Sequence, residues 1–141
     1  MKTRREAREC AVQILYQQDM NPRKLDDVLE DFWATQTDVD KPIRAFADSL
    51  VRGVAEKREV VDEIIREHAH NWDIKRMGVV DRNVLRMAVY ELMEMPTIPA
   101  AVTINEAVDI AKFFCNADAG KFMNGILDRI RKVLGRSAGK A

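Results

Sequence analysis

The chain has 141 residues, enough for one domain with a core of its own. Hydrophobic residues make up 47% and charged residues 33%, the profile of an ordinary globular protein. Basic and acidic side chains balance at 23 each, which excludes a wholesale polyanion binder. Cys10 and Cys115 lie far apart, in no CxxC pattern, at apolar positions of helical stripes, and read as free buried thiols. No apolar segment follows the basic start and none approaches a membrane span, so a cytoplasmic protein with no membrane partner is expected.

Apolar residues recur at helical spacing almost throughout, without strand alternation, and predict an all-α chain of about seven helices. The first helix carries Ala7, Cys10, Ala11, Ile14 and Leu15 and stops near Met20, before Asn21-Pro22. The second carries Leu25, Val28, Leu29, Phe32 and Trp33. Asp40 then reads as an N-cap with Pro42 in the first turn of a third helix, whose stripe runs Ile43, Phe46, Ala47, Leu50, Val51, Val54. Glu56-Lys57-Arg58-Glu59 interrupts that stripe, which resumes at Val60, Val61, Ile64 and Ile65. A loop is expected from Asn71 to Gly78. The next helix, with Val80, Val84, Leu85, Met87, Ala88, Val89, Leu92 and Met93, is apolar nearly all round and belongs at the centre. Pro96 and Pro99 stop it. Thr103 and Glu106 fit a capping box that opens the sixth helix. The last helix carries Phe122, Met123, Ile126, Leu127, Ile130, Val133 and Leu134 and ends at Gly135, before a frayed basic tail over 136–141. Two subdomains sharing a core are expected, over about 1–72 and 73–135.

Charge is uneven along this frame. Lys2, Arg4, Arg5 and Arg8 crowd the start, and Arg129, Arg131, Lys132, Arg136 and Lys140 the end. The acidic block Asp26, Asp27, Glu30, Asp31, Asp38 and Asp40 reads as a solvated face. For chemistry there is little. No phosphate loop is present, and His68 and His70 lack an evident third ligand, so they read as groups near a helix C-terminus rather than a metal site. Neither an enzyme nor a cofactor is expected.

Binding is better supported. On a helical wheel Arg5, Arg8, Val12 and Tyr16 form a stripe beside the buried face, with Arg4 next to Arg8. Three guanidiniums over about a turn and a half suit phosphates and stacked bases, although a solvated face fits the same residues. Basic charge at a helix N-terminus opposes the helix dipole, which favours another use for it. Near the start of the last helix, Asp118 is placed to cap, Lys121 to meet phosphate, and Phe122 either to enter the core or to stack under a base. Arg86, inside an apolar helix, needs an acid such as Glu91 or Glu106. Asp81 either caps that helix or meets a protein.

Four segments in this order resemble the NusB family: residues 4–16, residues 81–92, Ile98-Pro99 with residues 104–112, and residues 121–128. The resemblance implies an all-helical fold of two small packed bundles. It implies an antitermination factor that binds single-stranded boxA RNA with the small-subunit ribosomal protein NusE, in the transcription elongation complex, and supports processive transcription of ribosomal RNA. Carried onto this chain, it places Lys2, Arg4, Arg5, Arg8, Asp118, Lys121 and Phe122 on RNA, and Tyr16 and Asp81 on the ribosomal protein. Glu6 stands where some relatives have a base, and Lys75 where an acid sometimes serves the partner. A helical protein-interaction module without RNA of its own is the alternative.

Overall fold

The computed structural model describes residues 3–69 and 77–137. Lys2, His70, Lys75, Lys140 and most of the expected loop before Gly78 lie outside them. The described residues form seven helices and no strand: α1 (Arg4–Met20), α2 (Leu25–Ala34), α3 (Lys41–Glu56), α4 (Arg58–His68), α5 (Val79–Glu94), α6 (Ala100–Phe114) and α7 (Ala117–Val133). The fold is all-α, as the periodicity predicts.

Each helix forms for local reasons, and some differ from the expected ones. The capping hydrogen bonds of a Thr-x-x-Glu pair are at Thr3 and Glu6. Thr3 Oγ1 accepts the Glu6 N–H at 3.2 Å, and its hydroxyl donates to the Glu6 carboxylate at 3.3 Å. Thr103 and Glu106 do not cap α6, because that helix already starts at Ala100, behind Pro99. Thr103 instead donates to Glu91 at 3.2 Å. Asp40 precedes α3 without a side-chain capping bond, and Pro42 sits in the first turn. The interruption at Lys57 separates α3 from α4 as expected.

At the far end, Gly135 adopts φ 71°, a left-handed conformation that a side chain disfavours. It closes α7 with paired bonds, Gly135 N–H to Lys132 C=O and Arg136 N–H to Arg131 C=O, both at 3.0 Å. Arg136 is therefore not frayed. Its guanidinium donates to the carbonyls of Leu92 at 3.1 Å and Ile98 at 2.6 Å, which satisfies an otherwise free carbonyl in the last turn of α5.

Central α5 touches α1, α3, α4, α6 and α7, and is buried from Asn83 through Val89. Where α3 crosses it, the Tyr90 ring lies over Gly53. A Cβ there would fall 2.0 Å from Tyr90 Cζ, so only glycine admits this approach. One hydrophobic cluster draws on all seven helices and runs unbroken past the boundary expected near residue 72. At roughly 25 cal/mol per Å² of apolar burial, this shared core is the main term holding the helices together.

Candidate nucleic-acid and partner interface

The three arginines at the start of α1 have three different environments. Arg4 is exposed, with its guanidinium 4.5 Å from the centroid of the Phe46 ring. No acid pairs with it among the described residues. Arg5 is partly exposed. Its Nε donates to Glu106 at 2.6 Å, its Nη2 also pairs with Glu106, and the same Nη2 donates to Asp109 at 2.9 Å. These carboxylates raise the Arg5 pKa further, Glu106 foremost.

Arg8 is only 2% exposed. It clamps Glu91 with a two-pronged contact, Nε at 2.9 Å and Nη2 at 2.7 Å, and its Nη1 reaches Glu106 at 3.3 Å. Its guanidinium also lies 5.2 Å from the Phe46 ring centroid. Arg8 is thus not a surface arginine. The wheel placed it at the edge of the apolar face, and the acids of α5 and α6 draw it inside. Burying a charge is costly unless its donors are matched, and here they are.

The acid expected to neutralise Arg86 is therefore engaged by Arg8. Arg86 instead donates to Asp62 of α4 at 2.8 Å and 3.1 Å and to Asp19 of α1 at 2.9 Å. Asp19 also accepts from Arg82 at 2.7 Å and Asn83 at 3.0 Å. Burial pushes the Asp19 carboxyl up, but the bonds from Arg82 and Asn83 and the charge of Arg86 outweigh it, leaving the pKa lowered.

Acids gather around Arg5. The Glu9 carboxyl is raised by its burial, against the pull of Arg5 and with added repulsion from Glu6 and Glu106. The start of α1 is consequently far less basic than its sequence suggests. The basic C-terminal run is likewise partly spent, since Arg131 and Lys132 pair with Asp128 at 2.8 Å and 3.3 Å. The acidic block is mostly exposed, as expected, with Asp26 held by Arg52 and Asp31 by Arg23.

The second expected RNA segment opens α7. Asn116, not Asp118, is the cap: its Oδ1 accepts the Ala119 N–H at 2.8 Å. Asp118 lies exposed in the first turn, Lys121 is exposed, and Phe122 is half-buried against the core. Lys112 of α6 lies over Gly120, its Cγ 2.7 Å from where a Cβ would sit. Arg5 and Arg8 reach from α1 to α6, and α6 packs on α7. The two expected RNA segments are thus joined through α6.

Tyr16 borders an open groove. It holds about 340 Å³ and is lined by Val12, Gln13, Tyr16, Gln17, Val80 and Phe114. Tyr16 is 40% exposed. Asp81 follows Val80 and accepts from Cys115 Sγ at 3.0 Å, next to Phe114. Cys115 is therefore exposed at the end of α6 rather than buried, because α6 stops one residue before it. Partial burial of the thiol, with Asp81 beside it, pushes its pKa up to about 12. Cys10 is buried, as expected, and its thiol is pushed up to about 11 by that burial.

Sequence reasoning missed Asp109, Phe46 and Phe113. Phe46 packs partly buried against the core, as its stripe position predicts, and also forms a platform beneath two arginines. Phe113 is 74% exposed, set edge-on against Phe114 with centroids 5.2 Å apart. His68 ends α4 with Nδ1 2.8 Å from the Ile64 carbonyl. Among the described residues no group of three or more His, Cys, Asp or Glu is placed to hold a metal, and no helix is long and apolar enough to cross a membrane.

An all-helical body with an arginine-bearing first helix and an adjoining open apolar groove defines a class of binding proteins. The profile of the NusB family matches residues 5–132, and the chain belongs to that family. It is 44% identical over 132 residues to the transcription antitermination protein NusB of Desulforapulum autotrophicum, covering 93% of this chain and 92% of that one. The NusB of Sorangium cellulosum is 44% identical over 136 residues, covering 96% of each. Among solved structures, T. maritima NusB superposes with TM-score 0.85 at 40% identity, covering 94% of this chain and 93% of its own. A chain from a crystal structure of antitermination factors NusB and NusE in complex with dsRNA superposes with TM-score 0.85 at 30% identity, covering 94% of this chain and 98% of its own.

Proposed function

We propose that this transcription antitermination protein binds boxA-type single-stranded RNA jointly with NusE, within the elongation complex, and so supports processive transcription of ribosomal RNA operons. The observation that carries this reading is the division of α1. Exposed Arg4 and partly exposed Arg5 occupy its first turn, while Tyr16 faces a separate apolar groove about three turns on. One helix thus offers a cationic surface and a protein-docking surface at once. Lys2, Lys121, Phe122 and Asp118 complete the RNA side of the proposal, and Asp81 the protein side. Arg8 supports this surface from within. The role is one of binding, with no reaction and no cofactor, and it places the protein in the cytoplasm.

Few free cations mean few phosphates neutralised, so affinity for RNA alone is expected to be modest and to fall with salt. NusE raises it by holding a second set of contacts at high effective concentration. A fluorescence titration of boxA RNA, with and without NusE, tests this. Salt-sensitive binding that tightens with NusE is expected. The paired state of Arg5 and Arg8 favours a second reading, a module that binds NusE but no RNA. Tight NusE binding with no RNA dependence in either arm would establish that second reading and overturn the first.

A further inference from the structure

Of the three arginines that begin α1, Arg5 alone is both solvent-exposed and bound by carboxylates among the described residues. The two acids that hold it are not equivalent. Glu106 has a side chain 18% exposed and is shared with buried Arg8, so it belongs to the interior network. Asp109 has a side chain 52% exposed and pairs with Arg5 alone among the described residues. It binds one of the two terminal nitrogens, Nη2, at 2.9 Å and shares that nitrogen with Glu106. The other, Nη1, makes no hydrogen bond among the described residues.

A guanidinium binds carboxylate and phosphate through the same N–H fork, so the two compete for it. We propose that Asp109 restrains RNA affinity by holding the exposed side of Arg5, and that an RNA phosphate displaces Asp109 to take Nη1 and the remaining N–H of Nη2 while Glu106 keeps Nε and its own bond to Nη2. This rests on the RNA-binding reading above and adds to it a residue that sets the strength of the contact. Glu106 plays the opposite part: it fixes the guanidinium in place for whichever anion arrives. The restraint is gentle, since an exposed ion pair is weak.

The test uses the full chain with NusE and labelled boxA RNA, titrated over a range of salt. Asp109→Asn is expected to bind about two- to five-fold tighter, the scale of one exposed ion pair. Its log-affinity is expected to fall with log salt at least as steeply as that of the wild type, because the same phosphate contact is made in both. In an Arg5→Ala background the same substitution is expected to give no gain. Unchanged or weaker binding by Asp109→Asn would overturn the proposal, and would make Asp109 a support for Arg5 rather than its competitor. A gain that persists without Arg5 would also overturn it, by showing plain repulsion between Asp109 and the RNA. If the wild-type protein itself binds no RNA, the RNA reading falls and this proposal with it. If the wild type binds and Asp109→Asn does not differ, only this proposal falls.

Discussion

The two ends of α1 carry ion-pair clusters of opposite sense. At its N-terminus α1 supplies the cations, Arg5 and Arg8, and α5 and α6 supply the acids Glu91, Glu106 and Asp109. At its C-terminus α1 supplies the acid, Asp19, and α5 the cations Arg82 and Arg86. Both arrangements run against the helix dipole, which prefers acids at the start and cations at the end. Tertiary pairing has overruled a local preference worth about 0.3–1 kcal/mol per charge. The clusters differ in how they end at the surface. Around Asp19, Arg82, Asn83, Arg86 and Asp62 satisfy one another at 2.7–3.1 Å, and that cluster meets the surface through the longer contacts of half-exposed Arg58, 3.9 Å from Asp19 and 3.5 Å from Asp62. The N-terminal cluster opens outward through Arg5 and Asp109, with Arg4 beyond. The more enclosed network fixes geometry, whereas the more open one can exchange an internal partner for an external one.

The largest expected effect falls on the buried half of the open cluster. Arg8→Ala leaves Glu91 without its clamp, and loss of one member of a buried pair costs about 3–5 kcal/mol. Chemical denaturation is expected to show that loss. A variant as stable as the wild type would mean that Glu91 finds another donor. Asp19→Asn comes next, at about 2 kcal/mol, the scale of hydrogen bonds to a charged group, because Arg86 keeps Asp62.

That substitution also carries a pH signature. The folded pKa of Asp19 lies below its ordinary 3.8. Its stabilisation is therefore complete above that value and disappears as pH falls through the folded pKa. Wild type and Asp19→Asn are expected to differ most near neutrality and to converge in acid. A difference that stays constant down to pH 2 would remove Asp19 ionisation as the cause. The smallest effect on stability is expected at Arg4, within about 0.5 kcal/mol for an exposed side chain. Arg4→Ala should nonetheless lower RNA affinity and flatten its salt dependence, and unchanged binding would take Arg4 out of the interface.

This contrast also marks how far the sequence could be read. The helices themselves were legible, including the break at Lys57 and the central place of α5, because apolar period and burial are the same fact seen twice. Charge pairing was not legible. Arg8 lies one wheel position from the apolar face, and periodicity cannot distinguish an arginine that borders a core from one that enters it. That Arg86 needs an acid was legible, but its acids are Asp62 and Asp19 rather than Glu91 or Glu106, and Glu91 is held by Arg8, 83 residues away. Caps failed for a related reason. Thr103 and Glu106 have the right spacing for a box, but tertiary partners claim both side chains. Asp118 lost its capping role to Asn116 because α7 starts earlier than its apolar stripe. The groove was half legible: Tyr16 came from resemblance, and only the fold sets it beside Phe114.

The anchors of α1 have a consequence in time. Its N-terminal contacts span 83 residues to Glu91 and 98 and 101 residues to Glu106. During synthesis at about 5–20 residues per second, Arg8 would wait roughly 4–17 s for Glu91 to be made. Until then α1 has neither its clamp nor a reason to bury a charge. A segment made well before its partners is thus among the last to be secured, and its arginines stay accessible in the unfinished chain. Chains ending before Glu91 are accordingly expected to be cut by trypsin at Arg4, Arg5 and Arg8, while in the complete protein Arg8 should resist.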